Sequence, residues 1–138
     1  MPSKKPFALA VDDEPVDLEN LRSVLASAGY HVFIASDAKS AIEIFQRHAD
    51  RIEVLVTDVA MSPVGGCDLA AALVKLKPDL HVTFVSAYSG SLAFQYGGVL
   101  TFPFAFVGKP FSAEELLAKI RPEKEKVRHA GSAASTED

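Results

Sequence analysis

Glu53 to Gly66 reads EVLVTDVAMSPVGG, and this stretch decides the fold. Val54, Leu55 and Val56 form a short apolar run rich in β-branched side chains. A run of that kind, bounded by turn signals, predicts a strand buried on both faces. It stops at Asp58, and a segment with Pro63, Gly65 and Gly66 leads into a helical pattern. Asp58 therefore falls at the carboxyl end of a buried strand. In open parallel α/β sheets that edge is where ligands bind. A lone aspartate there ordinarily caps a loop, so its partners decide its meaning.

Working outward, the same grammar repeats. Phe7–Val11 (FALAV) is a second apolar run, ended by Asp12, Asp13 and Glu14. Pro15 suits a first helical turn. Leu18, Leu21, Val24 and Leu25 predict an amphipathic helix over 15–28, with Gly29 as its C-cap. His31–Ala35 (HVFIA) reads as the next strand. Ser36 or Asp37 caps a helix carrying Ala41, Ile42, Ile44 and Phe45. Beyond Asp58, Leu69, Ala70, Leu73, Val74 and Leu76 mark a helix that stops before Pro78. Val82–Val85 and Phe104–Val107 read as the fourth and fifth strands. Ser112 with Glu115 forms a capping box for a last helix through Ile120.

Strands alternating with helices at this spacing imply a doubly wound parallel sheet with helices on both faces. Right-handed crossovers bring every strand end to one edge. The polar residues there are Asp12, Asp13, Asp58, Ser86 and Lys109. Converging carboxylates repel one another. A hard divalent cation, Mg²⁺ or Mn²⁺, relieves that repulsion. One aspartate then remains as a nucleophile, while a lysine and a hydroxyl match the oxygens of a phosphoryl group.

Bulk properties narrow the field. The 138 residues fit one domain with a real core, and a hydrophobic share of 49% is ordinary for a globular chain. A net charge of −4 gives no footprint for nucleic acid. No apolar run is long enough to span a membrane. The N-terminus meets acid too early for a signal peptide. One cysteine, Cys67, excludes an internal disulfide, and it reads as a half-buried filler at a helix start. His31, His48, His81 and His129 show no metal-ligand spacing. These features predict a cytoplasmic protein.

With VDDE at the first strand end, VTDVAM at the third, VSA at the fourth and VGKPF after the fifth, residues 7–121 resemble a response-regulator receiver domain of two-component signalling. The resemblance is to chemotaxis-regulator-like members, and it implies a flavodoxin-like five-stranded sheet in the order 2-1-3-4-5. It implies that Asp58 is the phosphoacceptor and that Asp13 is a direct metal ligand. Asp12 is its neighbour acting through water, and the carbonyl of Ala60 supplies a third protein ligand. Lys109 pairs with the phosphoryl group, Ser86 moves toward it, and Phe106 changes rotamer in step. The Lys109–Pro110 bond is expected to be cis. A histidine kinase or phosphotransfer protein is the implied donor, with an effector protein downstream. A self-phosphorylating and self-dephosphorylating phosphoacceptor, monomeric or weakly dimeric, is implied rather than a turnover enzyme.

The sequence departs from the family in places. Ser62 stands where the family has proline after the methionine, and Pro63 comes one residue later. Ala60 offers no side chain to an attacking water. Residues 87–108 carry Gly90, Gly97, Gly98 and Pro103, which predict a shortened fourth helix. The crowded aromatics there fill the gap so left, or else form a partner surface; residues 87–106 are expected to change most between the two states. Residues 1–6 read as a leader and 122–138 as a flexible tail, with no second folded domain. A stand-alone receiver and a piece of a longer regulator or hybrid histidine kinase both remain open. So do a phosphorylation-independent binding module and, less well matched because Ala60 is not acidic, a haloacid-dehalogenase-like phosphatase.

Overall fold

The structure, a computed structural model, describes residues 5–87 and 100–120. The expectations for the leader before Lys5, for most of the shortened-helix stretch and for the tail lie outside the described residues. β1 (Phe7–Val11), β2 (His31–Ala35), β3 (Ile52–Asp58), β4 (His81–Ser86) and β5 (Ala105–Gly108) form one parallel sheet in the order β2-β1-β3-β4-β5. Helices α1 (Pro15–Ser27), α2 (Ala38–His48) and α3 (Gly66–Leu76) follow the first three strands. A fourth, α4, covers 113–120.

The two-residue period of the strands builds two cores. Leu9, Val11, Leu55, Val82 and Phe84 face one side and pack with Phe45 of α2 and with Leu69 and Leu73 of α3. Ala8, Ala10, Val54, Val56, Val85 and Val107 face the other, against Leu18, Leu21 and Leu25 of α1 and Leu116 and Ile120 of α4. Burial of each such Leu, Val or Phe contributes on the order of 1.5–3 kcal/mol. Two-sided burial is why these strands read as continuous apolar runs.

Helix ends follow local chemistry. The Asp37 carboxylate accepts from the Ser40 N–H at 2.7 Å, so Asp37 rather than Ser36 is the cap. Ser112 and Glu115 cap α4 reciprocally, at 2.8 and 3.0 Å. α1 ends one residue earlier than predicted, with Ala28 as C-cap and Gly29 after it at φ +100, a conformation that disfavours any side chain. α3 starts at Gly66, ahead of its first large apolar residue, with Gly65 as an extended N-cap. β5 starts at Ala105, not Phe104. Pairing with β4 begins at Thr83↔Ala105, which leaves the Phe104 ring against Phe84 but 41% exposed.

Candidate phosphoacceptor site

Backbone hydrogen bonds bring the strand ends together before any side chain acts. The Asp12 N–H donates to the Ala35 carbonyl at 3.2 Å, Val59 N–H to Val85 at 3.0 Å, and Lys109 N–H to Ser86 at 2.7 Å. Asp12, Asp58, Ser86 and Lys109 thus share the carboxyl edge of the sheet, as the topology requires. Asp13 lies one residue beyond Asp12 in the β1–α1 loop.

Carboxylate oxygens of Asp12, Asp13 and Asp58 lie within 4.8 Å of one another. Asp12 is fully buried, Asp58 nearly so, and Asp13 is open to solvent. Asp12 Oδ1 accepts the Glu14 N–H at 3.0 Å, which fixes its orientation. Lys109 reaches into this cluster: its Nζ is 3.0 Å from Asp12 Oδ2, 3.0 Å from Asp17 Oδ2 and 3.3 Å from Asp58 Oδ1. The Lys109–Pro110 peptide is cis, as is Ser62–Pro63 in the loop after Asp58.

The electrostatics follow from this crowding. Burial, then the charge of Asp12, push the Asp58 carboxyl up to about 6, against the pull of Lys109 and with a further push from Asp13. For Lys109, burial works against the charged form. Hydrogen bonds to Asp12 and Asp17 and the charges of Asp12 and Asp58 outweigh it, so the ammonium is held above its ordinary range. One ammonium shared three ways is too little to pull Asp58 down.

The residues fit a hard divalent cation. Three carboxylates within coordination distance, carrying more negative charge than their lysine neutralises, are the donor set that Mg²⁺ or Mn²⁺ takes. The Ala60 carbonyl belongs to the exposed loop two residues after Asp58.

Of the other predicted positions, Ser86 is buried at the end of β4. Phe106 is half-buried, paired in register with Phe84 and packed on the α2/α3 core. Met61 packs in the same core. Cys67 is buried outright rather than half-buried, and burial, then Asp68, push its thiol up to about 12. It is therefore protonated and unreactive at neutral pH.

Two contributors escaped sequence reasoning. Asp17 joins the lysine from the first turn of α1, where an acid reads simply as a favourable helix-dipole charge. Gly66 lets α3 begin against the Asp58 backbone, since a Cβ there would lie 2.0 Å from the Asp58 carbonyl oxygen. A cleft of about 270 Å³ lies at the opposite edge, between Pro78–His81 and Phe102–Ala105, far from the carboxylates.

Residues 8–121 match the family model for the response regulator receiver domain, and the chain belongs to that family. It is 36% identical over 113 residues to the response regulator MprA of Mycobacterium leprae, covering 82% of this chain and 48% of that protein. It is 32% identical over 118 residues to the sensor kinase CckA of Brucella abortus, covering 86% of this chain and 12% of that protein. The chain thus spans about half of one relative and a small part of the other. The chemotaxis protein CheY4 of Vibrio cholerae superposes with a TM-score of 0.77 at 24% identity, over 86% of this chain and 98% of that one, which shows the shared fold.

Proposed function

We propose that this receiver accepts one phosphoryl group on Asp58 from the phosphohistidine of a histidine kinase or phosphotransfer protein. The observation that carries the reading is the arrangement of Asp58 beside Asp12, Asp13 and the Lys109 ammonium at a strand end. An Asp58 carboxylate oxygen attacks phosphorus, the P–N bond to the donor imidazole breaks, and the ring nitrogen leaves with the bonding pair and takes a proton from solvent. The product is a mixed anhydride. Mg²⁺ held by Asp13, Asp58 and the Ala60 carbonyl, with Asp12 behind it, would neutralise charge between the carboxylates and the incoming oxygens. Lys109 meets the phosphoryl oxygens from the β5 side. Ser86 supplies a hydroxyl to the same group, and Phe106 follows it in the switch to a partner-binding state.

The chain acts as a stoichiometric phosphoacceptor rather than a turnover enzyme. Among the described residues no helix is long and apolar enough to cross a membrane. A cytoplasmic setting and a monomeric or weakly dimeric state belong to the same proposal. The similarity to a sensor kinase supports a second context, a receiver segment within a hybrid kinase.

Incubation with acetyl phosphate and Mg²⁺ is expected to add one phosphoryl group by intact mass, removable by hydroxylamine. Asp58→Asn keeps size and hydrogen bonding but lacks the nucleophile, and should not be labelled. Undiminished labelling of that variant would show that the acceptor is elsewhere.

A further inference from the structure

A lysine ammonium has three N–H donors. In this structure two carboxylates take hydrogen bonds from it, Asp12 and Asp17 at 3.0 Å each, and Asp58 forms a looser ion pair at 3.3 Å. The ammonium is thus committed chiefly to Asp12 and Asp17. A phosphoryl group on Asp58 brings new acceptor oxygens, and Lys109 turns fully toward them by loosening one of its two hydrogen bonds. The three acids do not release it equally. Asp12 is wholly buried, and stripping it of its ammonium would leave an uncompensated charge in the core. Asp58 is the phosphoryl carrier itself. Asp17 stands on the first turn of α1 with its side chain 42% exposed, and water replaces the lysine there at little cost. Asp17 also lies outside the group of acids close enough to share a cation.

We propose that Asp17 is a positioning residue that competes with the phosphoryl group for Lys109, holding the lysine toward α1 until phosphorylation draws it away. The inference rests on the phosphoacceptor reading of Asp58. On that reading Asp17 sets how readily the lysine engages the phosphoryl group, and its release makes the start of α1 a second place where the phosphorylation state is felt.

The test is calorimetric titration of the full chain with beryllofluoride in saturating Mg²⁺. Asp17→Asn and Asp17→Ala should each bind the phosphoryl mimic about two- to fivefold more tightly than the parent, the range of a half-exposed ion pair. Glu14→Gln removes a neighbouring charge from a residue that makes no ion pair with Lys109 among the described residues, and should change affinity less than either. Mg²⁺ titrated alone should bind the Asp17 variants no more tightly than the parent. A merely structural role for Asp17 in the first turn would weaken binding on its removal, so the direction is diagnostic. Unchanged or weaker binding in both Asp17 variants overturns the inference. An equal gain in Glu14→Gln, or a gain already present with Mg²⁺ alone, overturns it too, since long-range charge or the cation would then be the cause. In each of those cases labelling of Asp58 by acetyl phosphate leaves the phosphoacceptor reading standing. A parent chain that neither binds beryllofluoride nor is labelled on Asp58 overturns both.

Discussion

Gly66→Ala adds one methyl group at the point where α3 meets the end of β3. The Gly66 N–H donates to the Val59 carbonyl at 3.0 Å, so the helix start is tied to the residue just after Asp58. The new Cβ would lie 2.0 Å from the Asp58 carbonyl oxygen, 2.9 Å from its carbon and 3.1 Å from Thr57 Oγ1. Ordinary contact begins near 3.4 Å, so helix and strand must part by about 1.4 Å. Both sides of the clash are backbone, and no rotamer change relieves it. Overpacking costs about 1–3 kcal/mol, and backbone on both sides puts this case at the upper end. The Thr57 Oγ1 to Asp58 carbonyl bond, 3.1 Å long, is disturbed as well, adding about 1 kcal/mol. Alanine's helix preference offsets at most about 1 kcal/mol. The net expectation is a loss of about 2–4 kcal/mol, a large part of the stability of a typical domain. Urea unfolding in chelator gives the stability, and the Mg²⁺-dependent thermal shift reports whether Asp58 still faces the acid cluster. Gly108→Ala is the contrast, because its Cβ would come no nearer than 4.0 Å to the Ser86 carbonyl. A Gly66→Ala protein within about 1 kcal/mol of the parent, with its Mg²⁺ shift intact, would refute the steric reasoning; so would an equal loss in Gly108→Ala.

Three further outcomes are expected. Lys77 Nζ donates to the carbonyls of Ala49 at 2.8 Å and Ile52 at 2.6 Å, clamping the end of α3 to the α2–β3 turn; Lys77→Met should lower stability by about 1.5–3 kcal/mol in urea unfolding, with acetyl phosphate labelling retained. Asp58 titrates near 6 in the metal-free fold, above its unfolded value of about 4, so the unfolded chain loses this proton first as pH rises. The contribution of Asp58 to stability therefore falls between about pH 4 and pH 6 and stays low above. Asp58→Asn in chelator should gain on the parent by about 1–3 kcal/mol across that window, and a constant difference would contradict the burial argument. Millimolar Mg²⁺ should raise the melting temperature of the parent chain, because the cation binds only the folded acid cluster; Asp13→Ala should lose most of that shift, and an equal shift in the variant would move the cation elsewhere.

What was legible in the sequence follows from how each feature is encoded. A strand buried on both faces has to be a run of apolar residues, and its carboxyl end has to turn polar. FALAV before Asp12 and EVLVT before Asp58 therefore announced both the strands and the acids at their tips. The sheet order came from resemblance, since spacing alone does not choose among right-handed windings. Asp17 was illegible because its role depends on a lysine 92 residues away whose side chain crosses from β5 to α1. Gly66 was visible as a glycine, but the need for it is a distance between two backbones. Phe104 looked like strand because it is aromatic and continues an apolar run. Its neighbour Pro103 lacks an N–H, and the ladder takes hold only at Ala105.

The site's electrostatics explain why it should respond to ligands at all. Asp58 lies 3.3 Å from an ammonium and still has its carboxyl raised, because burial and Asp12 together outweigh that partner. The acid cluster is thus held together against its own repulsion by the two apolar cores on either face of the sheet. The Val59–Val85 and Lys109–Ser86 backbone bonds transmit that constraint to the strand tips. A group that is costly to ionise when bare gains most from a cation, so the free energy spent in gathering the acids reappears as binding affinity. On the proposed phosphoacceptor reading, a phosphoryl group on Asp58 would meet a cation, Lys109 and the buried Ser86 hydroxyl at one edge of the sheet. On the proposal that Asp17 competes for Lys109, moving the lysine from Asp17 to the new oxygens would be the cheap step, because it exchanges one half-exposed partner for another acceptor without uncovering Asp12.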